Sequence, residues 1–129
     1  MAICHIGIYT KDISRLAGFY IRYFHGFEGG EYHRKTGDFS SRFVTFGSGA
    51  SIELMTKPEG LRKAEKQEFD IGLAHVAFRL ETREDVDRLT ERMRQDGVGV
   101  VSGPRRTGDG CYESCVLDPD GNRVEITCD

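Results

Sequence analysis

No stretch of this 129-residue chain approaches the roughly 20 consecutive apolar residues that a membrane-crossing helix needs. The opening residues, MAICHIGIYTKD, also lack a basic segment followed by a long apolar one, so neither a bilayer span nor a secretory leader is expected, and the expected compartment is the cytoplasm. Charge of one sign is missing too. The 18 Lys and Arg and 21 Asp and Glu are interspersed to a net charge of −3, which gives no field to hold a nucleic acid or a lipid surface. The pair Arg105-Arg106 is the nearest thing to a basic cluster and reads as solvated. There is no CxxC: Cys111 and Cys115 are four apart, without the spacing of a zinc site or redox centre. With nothing to mark the chain as secreted, Cys4, Cys111, Cys115 and Cys128 read as free thiols, small and mostly buried in packing.

What is present is an ordinary globule. A composition of 38% hydrophobic and 30% charged residues separates the chain from disordered and membrane classes, and eight Phe with five Tyr supply the mass of a core. At this length roughly two thirds of the extended-chain surface is buried on folding, so a single domain spanning 1–129 is expected.

The chain repeats itself. Residues 3–9 (ICHIGIY) read as a strand, and Asp12 caps a helix whose apolar positions Ile13, Leu16, Ala17, Tyr20 and Phe24 follow helical spacing until Gly26 ends it. Strands follow at about 28–35, 41–46 and 50–56, separated by TGDF and GSGA. The second copy opens with a strand at 72–80 (GLAHVAFRL). Thr82 and Asp85 resemble a capping box, Val86, Leu89, Thr90 and Met93 line one helical face, and Gly97 closes the helix. Strands fit at about 98–102, 112–117 and 123–127, the last two joined by the turn Asp118-Pro119-Asp120-Gly121. The order is βαβββ twice, an α+β class with module one at about 1–56, a polar linker at 57–70 that could carry a helical turn, and module two at about 71–129.

Superposing the copies brings out a constellation. RFVTFGSGASIE aligns without gaps on SCVLDPDGNRVE, which lays Glu53 over Glu125 (125 − 53 = 72), and His5 lies over His75 (75 − 5 = 70). Strand side chains alternate faces, and the neighbours of these four residues (Cys4 and Ile6, Ile52 and Leu54, Ala74 and Val76, Val124 and Ile126) suit a core, so the His and Glu should share the opposite face. A single strand His or Glu is more often a solvated or hydrogen-bonded structural residue. Four at equivalent places of a repeat point instead to a divalent metal, because carboxylates facing one cavity repel unless a cation or proton lies between them. His25 and His33 have no counterpart in the other module and read as surface residues. Nitrogen and oxygen donors with open positions suit nickel or zinc, and also cobalt, manganese or iron.

CHIGIYTKD, SIELM, LAHVAF and above all VLDPDGNRVEIT, with the module order, resemble the vicinal oxygen chelate superfamily of glyoxalase I, extradiol dioxygenases, fosfomycin-resistance enzymes, methylmalonyl-CoA epimerase and bleomycin-binding proteins. The resemblance implies two tandem βαβββ modules forming an incomplete, metal-lined barrel, often completed across a homodimer. The ligand order His5, Glu53, His75, Glu125 is similar to that of bacterial glyoxalase I. It implies isomerisation of a 2-oxoaldehyde hemithioacetal, with Glu125 or Glu53 as the catalytic base and a small-molecule thiol conjugate as the partner. There is a departure: Tyr9 stands where bacterial glyoxalase I usually has an Arg that grips a glutathione carboxylate. The pseudo-equivalent position is Arg79, which reads either as a displaced substrate clamp or as a surface residue. Thiol transfer to an antibiotic, epimerisation and metal-free ligand sequestration are the rival activities that the resemblance leaves open.

Overall fold

The computed structural model describes residues 1–63, 65 and 69–129. The chain divides into two compact units, Met1–Glu65 and Lys66–Asp129. The first holds β1 (His5–Tyr9), α1 (Ile13–Phe24), β2 (Phe27–His33), β3 (Ser40–Thr45) and β4 (Ser51–Thr56). The second holds β5 (Val76–Arg79), α2 (Arg83–Gln95), β6 (Val100–Arg106), β7 (Tyr112–Leu117) and β8 (Arg123–Cys128). Each unit is a four-stranded mixed, open sheet, in the order β1-β4-β3-β2 and β5-β8-β7-β6. The first and last strands of each unit pair in parallel and the remaining neighbours are antiparallel. This is the doubled βαβββ, α+β architecture expected from the repeat.

One face of each sheet lies beneath its helix. In the first unit Val44, Ile52 and Leu54 are buried with Leu16, Ala17 and Tyr20 of α1; in the second Val116, Val124 and Ile126 are buried with Val86, Thr90 and Met93 of α2. These strand residues alternate with the ones on the opposite face, so burying the apolar set orients the polar set outward. Beneath α2 the hydroxyls of Thr90 and Ser114 lie 2.6 Å apart, and Thr90 also donates to the Val86 carbonyl at 2.7 Å, which satisfies the polar atoms that this core contains.

Local chemistry sets the helix ends. The Asp12 carboxylate accepts from the Arg15 amide at 2.9 Å, and the Thr82 hydroxyl accepts from the Asp85 amide at 3.1 Å, as the capping pattern predicts. The closing glycines are not equivalent. Gly97 has φ 83°, the left-handed conformation that ends a helix, but after α1 that conformation belongs to His25, with φ 53°. Gly26 is there for space, since a Cβ on it would lie 2.5 Å from Cγ1 of Val44.

The hairpins β2–β3 and β6–β7 share a Thr-Gly-Asp turn, in which Thr36 donates to Asp38 and Thr107 to Asp109, each at 2.5 Å. The turn after β7 forms as expected, with the Gly121 amide donating to the Asp118 carbonyl at 2.9 Å. β6 runs to Arg106, beyond the expected end near 102, because two register shifts against β7 let pairing continue. The described linker residues carry bends and a turn but no helix, and the rest of the helical turn anticipated there lies outside the described residues. No helix among the described residues is long and apolar enough to cross a membrane.

All four thiols are free, but the expectation that they are mostly buried holds only for Cys115 and Cys128. Cys4 is exposed and Cys111 partly so: Cys4 precedes β1 and Cys111 sits in the β6–β7 connection, both outside the regular strands.

Candidate metal centre

The parallel pairing in each unit sets the candidate ligands in one register twice. Gly7 lies opposite Glu53 in β1–β4, and Ala77 opposite Glu125 in β5–β8. His5 and His75 stand two residues earlier, so each imidazole shares a face with its glutamate and lies one step along the strand. His75 falls one residue short of β5, and the flanking Cys4 and Ala74 are exposed rather than in a core. The alternation argument therefore holds at Glu53 and Glu125, whose neighbours are at most 2% exposed, and only on one side of each histidine.

Nε2 of His5 lies 3.6 Å from Oε2 of Glu53, and Nε2 of His75 lies 3.0 Å from Oε2 of Glu125. Two ligands at about 2.1 Å from one cation and about 90° apart are separated by roughly 3.0 Å, so the His75–Glu125 pair has the spacing of adjacent corners of a coordination shell and the His5–Glu53 pair is wider. The glutamates are mostly covered, with side chains 19% and 20% exposed, while the histidines remain 43% and 41% exposed. Among the described residues, no group of three or more His, Cys, Asp or Glu side chains is gathered tightly enough for a metal. Each unit by itself supplies two donors.

The surroundings of the pairs differ. In the first unit the His5 ring meets Phe43 edge-on at 5.5 Å, and Phe43 lies opposite Glu53 in β3. The Met55 methyl covers Gly7, 2.8 Å from where a Cβ would stand. In the second unit Cys115 occupies the place of Phe43, opposite Glu125, and the next row holds Arg79, Thr127 and Glu113. Burial pushes the Glu125 carboxyl above its ordinary value; the His75 imidazole opposes this, Glu113 adds to it, Arg105 opposes it and Asp109 adds to it. Burial likewise pushes the Cys115 thiol up, against a hydrogen bond and charge from Arg123 and with the help of Glu125 and Glu113.

Arg79, the anticipated clamp, lies on the face of Glu125 and is held by the Asp129 carboxylate at 2.6 Å, with both side chains largely exposed. Tyr9 occupies the corresponding row of the first unit and is 55% exposed. His25 and His33 are exposed, as anticipated, and Nδ1 of His33 lies 2.8 Å from the Ser40 hydroxyl. Glu113 was not singled out in the sequence, Cys115 is buried as expected there, and Arg105 is largely exposed as expected but faces Glu113. The gapless alignment that found Glu125 also lays Cys115 over Phe43, and two-residue alternation then puts Glu113 on the same face, so the signal for these two was available. Arg105 reaches within 4.0 Å of Glu113 only through the irregular pairing of β6.

Similar proteins place the fold. The uncharacterized protein YqjT of Bacillus subtilis (strain 168) is 27% identical over 128 residues, covering 95% of this chain and 94% of YqjT. The structure of a glyoxylase/bleomycin resistance protein/dioxygenase domain from Frankia sp. EAN1pec superposes with a TM-score of 0.82 at 20% identity, covering 99% of this chain and 97% of that one. The trypanothione-dependent glyoxalase I of Leishmania major superposes with a TM-score of 0.77 at 22% identity, covering 98% and 85%. At these identities the two structures speak for the fold. The family model of the Glyoxalase/Bleomycin resistance protein/Dioxygenase superfamily matches residues 2–126, and the chain belongs to that superfamily.

Proposed function

We propose that this protein is a divalent-metal-dependent isomerase of the glyoxalase I type, acting on the hemithioacetal of a 2-oxoaldehyde and a thiol. The observation that carries the reading is the duplicated His–Glu pair, at 3.6 and 3.0 Å on equivalent strands of two units. One cation, nickel or zinc, would take His5, Glu53, His75 and Glu125, the two pairs coming from one chain or from two copies of it. Bound there, it would supply Lewis acidity toward the negative charge that develops on the substrate oxygens.

The chain's own residues do the rest. Glu125 takes the carbon-bound proton of the hemithioacetal and returns it to the neighbouring carbon, giving a hydroxyacyl thioester. The preference for Glu125 over Glu53 rests on the resemblance to glyoxalase I, since the two side chains are covered alike, at 19% and 20% exposed. Arg79 exchanges Asp129 for a carboxylate of the thiol, and Tyr9 lies against the body of the substrate. A homodimer is part of this reading, and light scattering of the metal-loaded protein should give about twice the 14.5 kDa chain mass. A monomer with full metal occupancy would remove that part alone.

The test is elemental analysis of protein stripped of metal and reloaded with nickel or zinc, followed by turnover of methylglyoxal with glutathione, coenzyme A, cysteine or bacillithiol. About one metal for the four ligands, and turnover with at least one thiol, is expected. Absence of binding would overturn the metal centre. Full occupancy without turnover of any of these hemithioacetals would overturn the isomerase and leave the centre standing.

A further inference from the structure

At the C-terminal ends of β1 and β4, beside the β2–β3 hairpin, lies a groove of about 470 Å³ built entirely within the first unit. Its lining is Lys11, Gly37, Ser40, Thr56, Lys57, Pro58, Gly60 and Leu61. That volume falls within the roughly 300–1,000 Å³ typical of small-molecule sites. Among the described residues, the lining contains two ammonium groups and two hydroxyls, and no carboxylate.

Nearby acids are turned to other work. The Asp12 carboxylate caps α1 through the Arg15 amide, and the Asp38 carboxylate takes Thr36 and Arg34. Glu59 lies between two lining residues in sequence but does not line the groove. The Asp12 carboxylate occupies the N-terminus of α1, so the positive field of the groove comes from the two lysines. Gly37 (φ 73°) and Gly60 (φ 84°) keep both loops at the rim in left-handed backbone conformations that most side chains resist.

We propose that this groove binds the phosphate monoester of a small molecule, with Lys11 and Lys57 neutralising it and the Thr56 hydroxyl donating to its oxygens, the Ser40 hydroxyl being shared with Nδ1 of His33 at 2.8 Å. The chemistry selects phosphate over carboxylate on two grounds. The donors, two ammonium groups and a hydroxyl, match the three terminal oxygens of a phosphate monoester rather than the two oxygens of a carboxylate. Two ammonium groups also match the charge of about −1.5 to −2 that a phosphate monoester carries at neutral pH. The site is independent of the metal reading, since it uses none of the four candidate ligands.

The experiment is titration of the full-length chain, treated with EDTA, with phenyl phosphate, inorganic phosphate and, for contrast, benzoate and succinate, followed by calorimetry and amide chemical shifts. Saturable binding of phenyl phosphate is expected, with shifts at Lys11, Ser40 and Lys57. The double variant Lys11→Gln/Lys57→Gln should weaken it at least tenfold, and Arg88→Gln, on the other unit, should leave it unchanged. All three replaced residues are exposed, and unaltered melting temperatures would show that the fold is kept. Absence of saturable binding, benzoate or succinate binding as tightly as the phosphates, or equal affinity in the double variant would each overturn the proposal. Because the chain is metal-free throughout, these outcomes are separate from success or failure of the isomerase reading.

Discussion

The two units carry the same scaffold and different faces. Both set a small residue opposite the candidate glutamate in parallel register, Gly7 opposite Glu53 and Ala77 opposite Glu125. In the first unit the space above that residue is taken by the Met55 thioether, and Phe43 backs the histidine. In the second unit Thr127 stands in the place of Met55, and its smaller side chain is consistent with the extra Cβ of Ala77. Beside the small buried Cys115, the rest of that face is charged: Glu113, Arg79 and Arg105. Duplication has thus kept the register that presents a His–Glu pair and let the surroundings diverge, one unit into an apolar wall and the other into a charged one. The reading above assigns proton transfer to the second.

The sharpest way to break this contrast is catalytic. Glu125→Gln keeps the shape and removes the base, so kcat should fall by about 10²–10⁴, while Glu53→Gln should cost less. Metal content of the two variants, measured by elemental analysis, should fall by similar factors. Equal losses of kcat would show that the two carboxylates share the proton transfer.

The helix ends give a second contrast, read in urea unfolding. Gly26→Ala forces a Cβ to 2.5 Å from Val44 and 3.3 Å from the Tyr20 carbonyl, and overpacking of this kind should cost about 3 kcal/mol. At Gly97 nothing lies within 4 Å and only the left-handed backbone opposes a side chain, so Gly97→Ala should cost about 1 kcal/mol. The reverse ranking would contradict the different duties assigned to the two glycines.

The smallest effect is electrostatic. Glu125 is raised above its ordinary 4.5, so the folded state of the metal-free chain holds this proton more tightly than the unfolded state. That contribution to stability is complete below about pH 4.5 and is lost as pH rises through the raised value. Glu125→Gln carries no such titration, so its stability relative to the parent should increase over that window. Glu113→Gln removes a carboxylate that pushes Glu125 up and should narrow the window from above. Melting temperatures between pH 4 and 8 that ran parallel for all three proteins would remove Glu113 from the electrostatics of Glu125.

Much of this was legible from the residues because periodicity and duplication are local properties of sequence. Two-residue alternation about Ile52 and Leu54, and about Val124 and Ile126, determined which way Glu53 and Glu125 face, since the apolar set must be buried beneath a helix. Asp12 and Thr82 announced helix starts because a cap is a bond between residues three apart. Spacing across the repeat then named the four candidate ligands. What only the tertiary structure decided depends on neighbours distant along the chain. A sequence cannot tell a glycine that closes a helix from one that makes room for Val44, and Gly26 and Gly97 look alike until the sheet is packed. Nor does it reveal that Arg79 is held by Asp129, that the register shifts of β6 carry Arg105 to Glu113, or that Lys11 and Lys57, 46 positions apart (57 − 11), line one groove, because each is fixed by strand register and loop packing rather than by spacing.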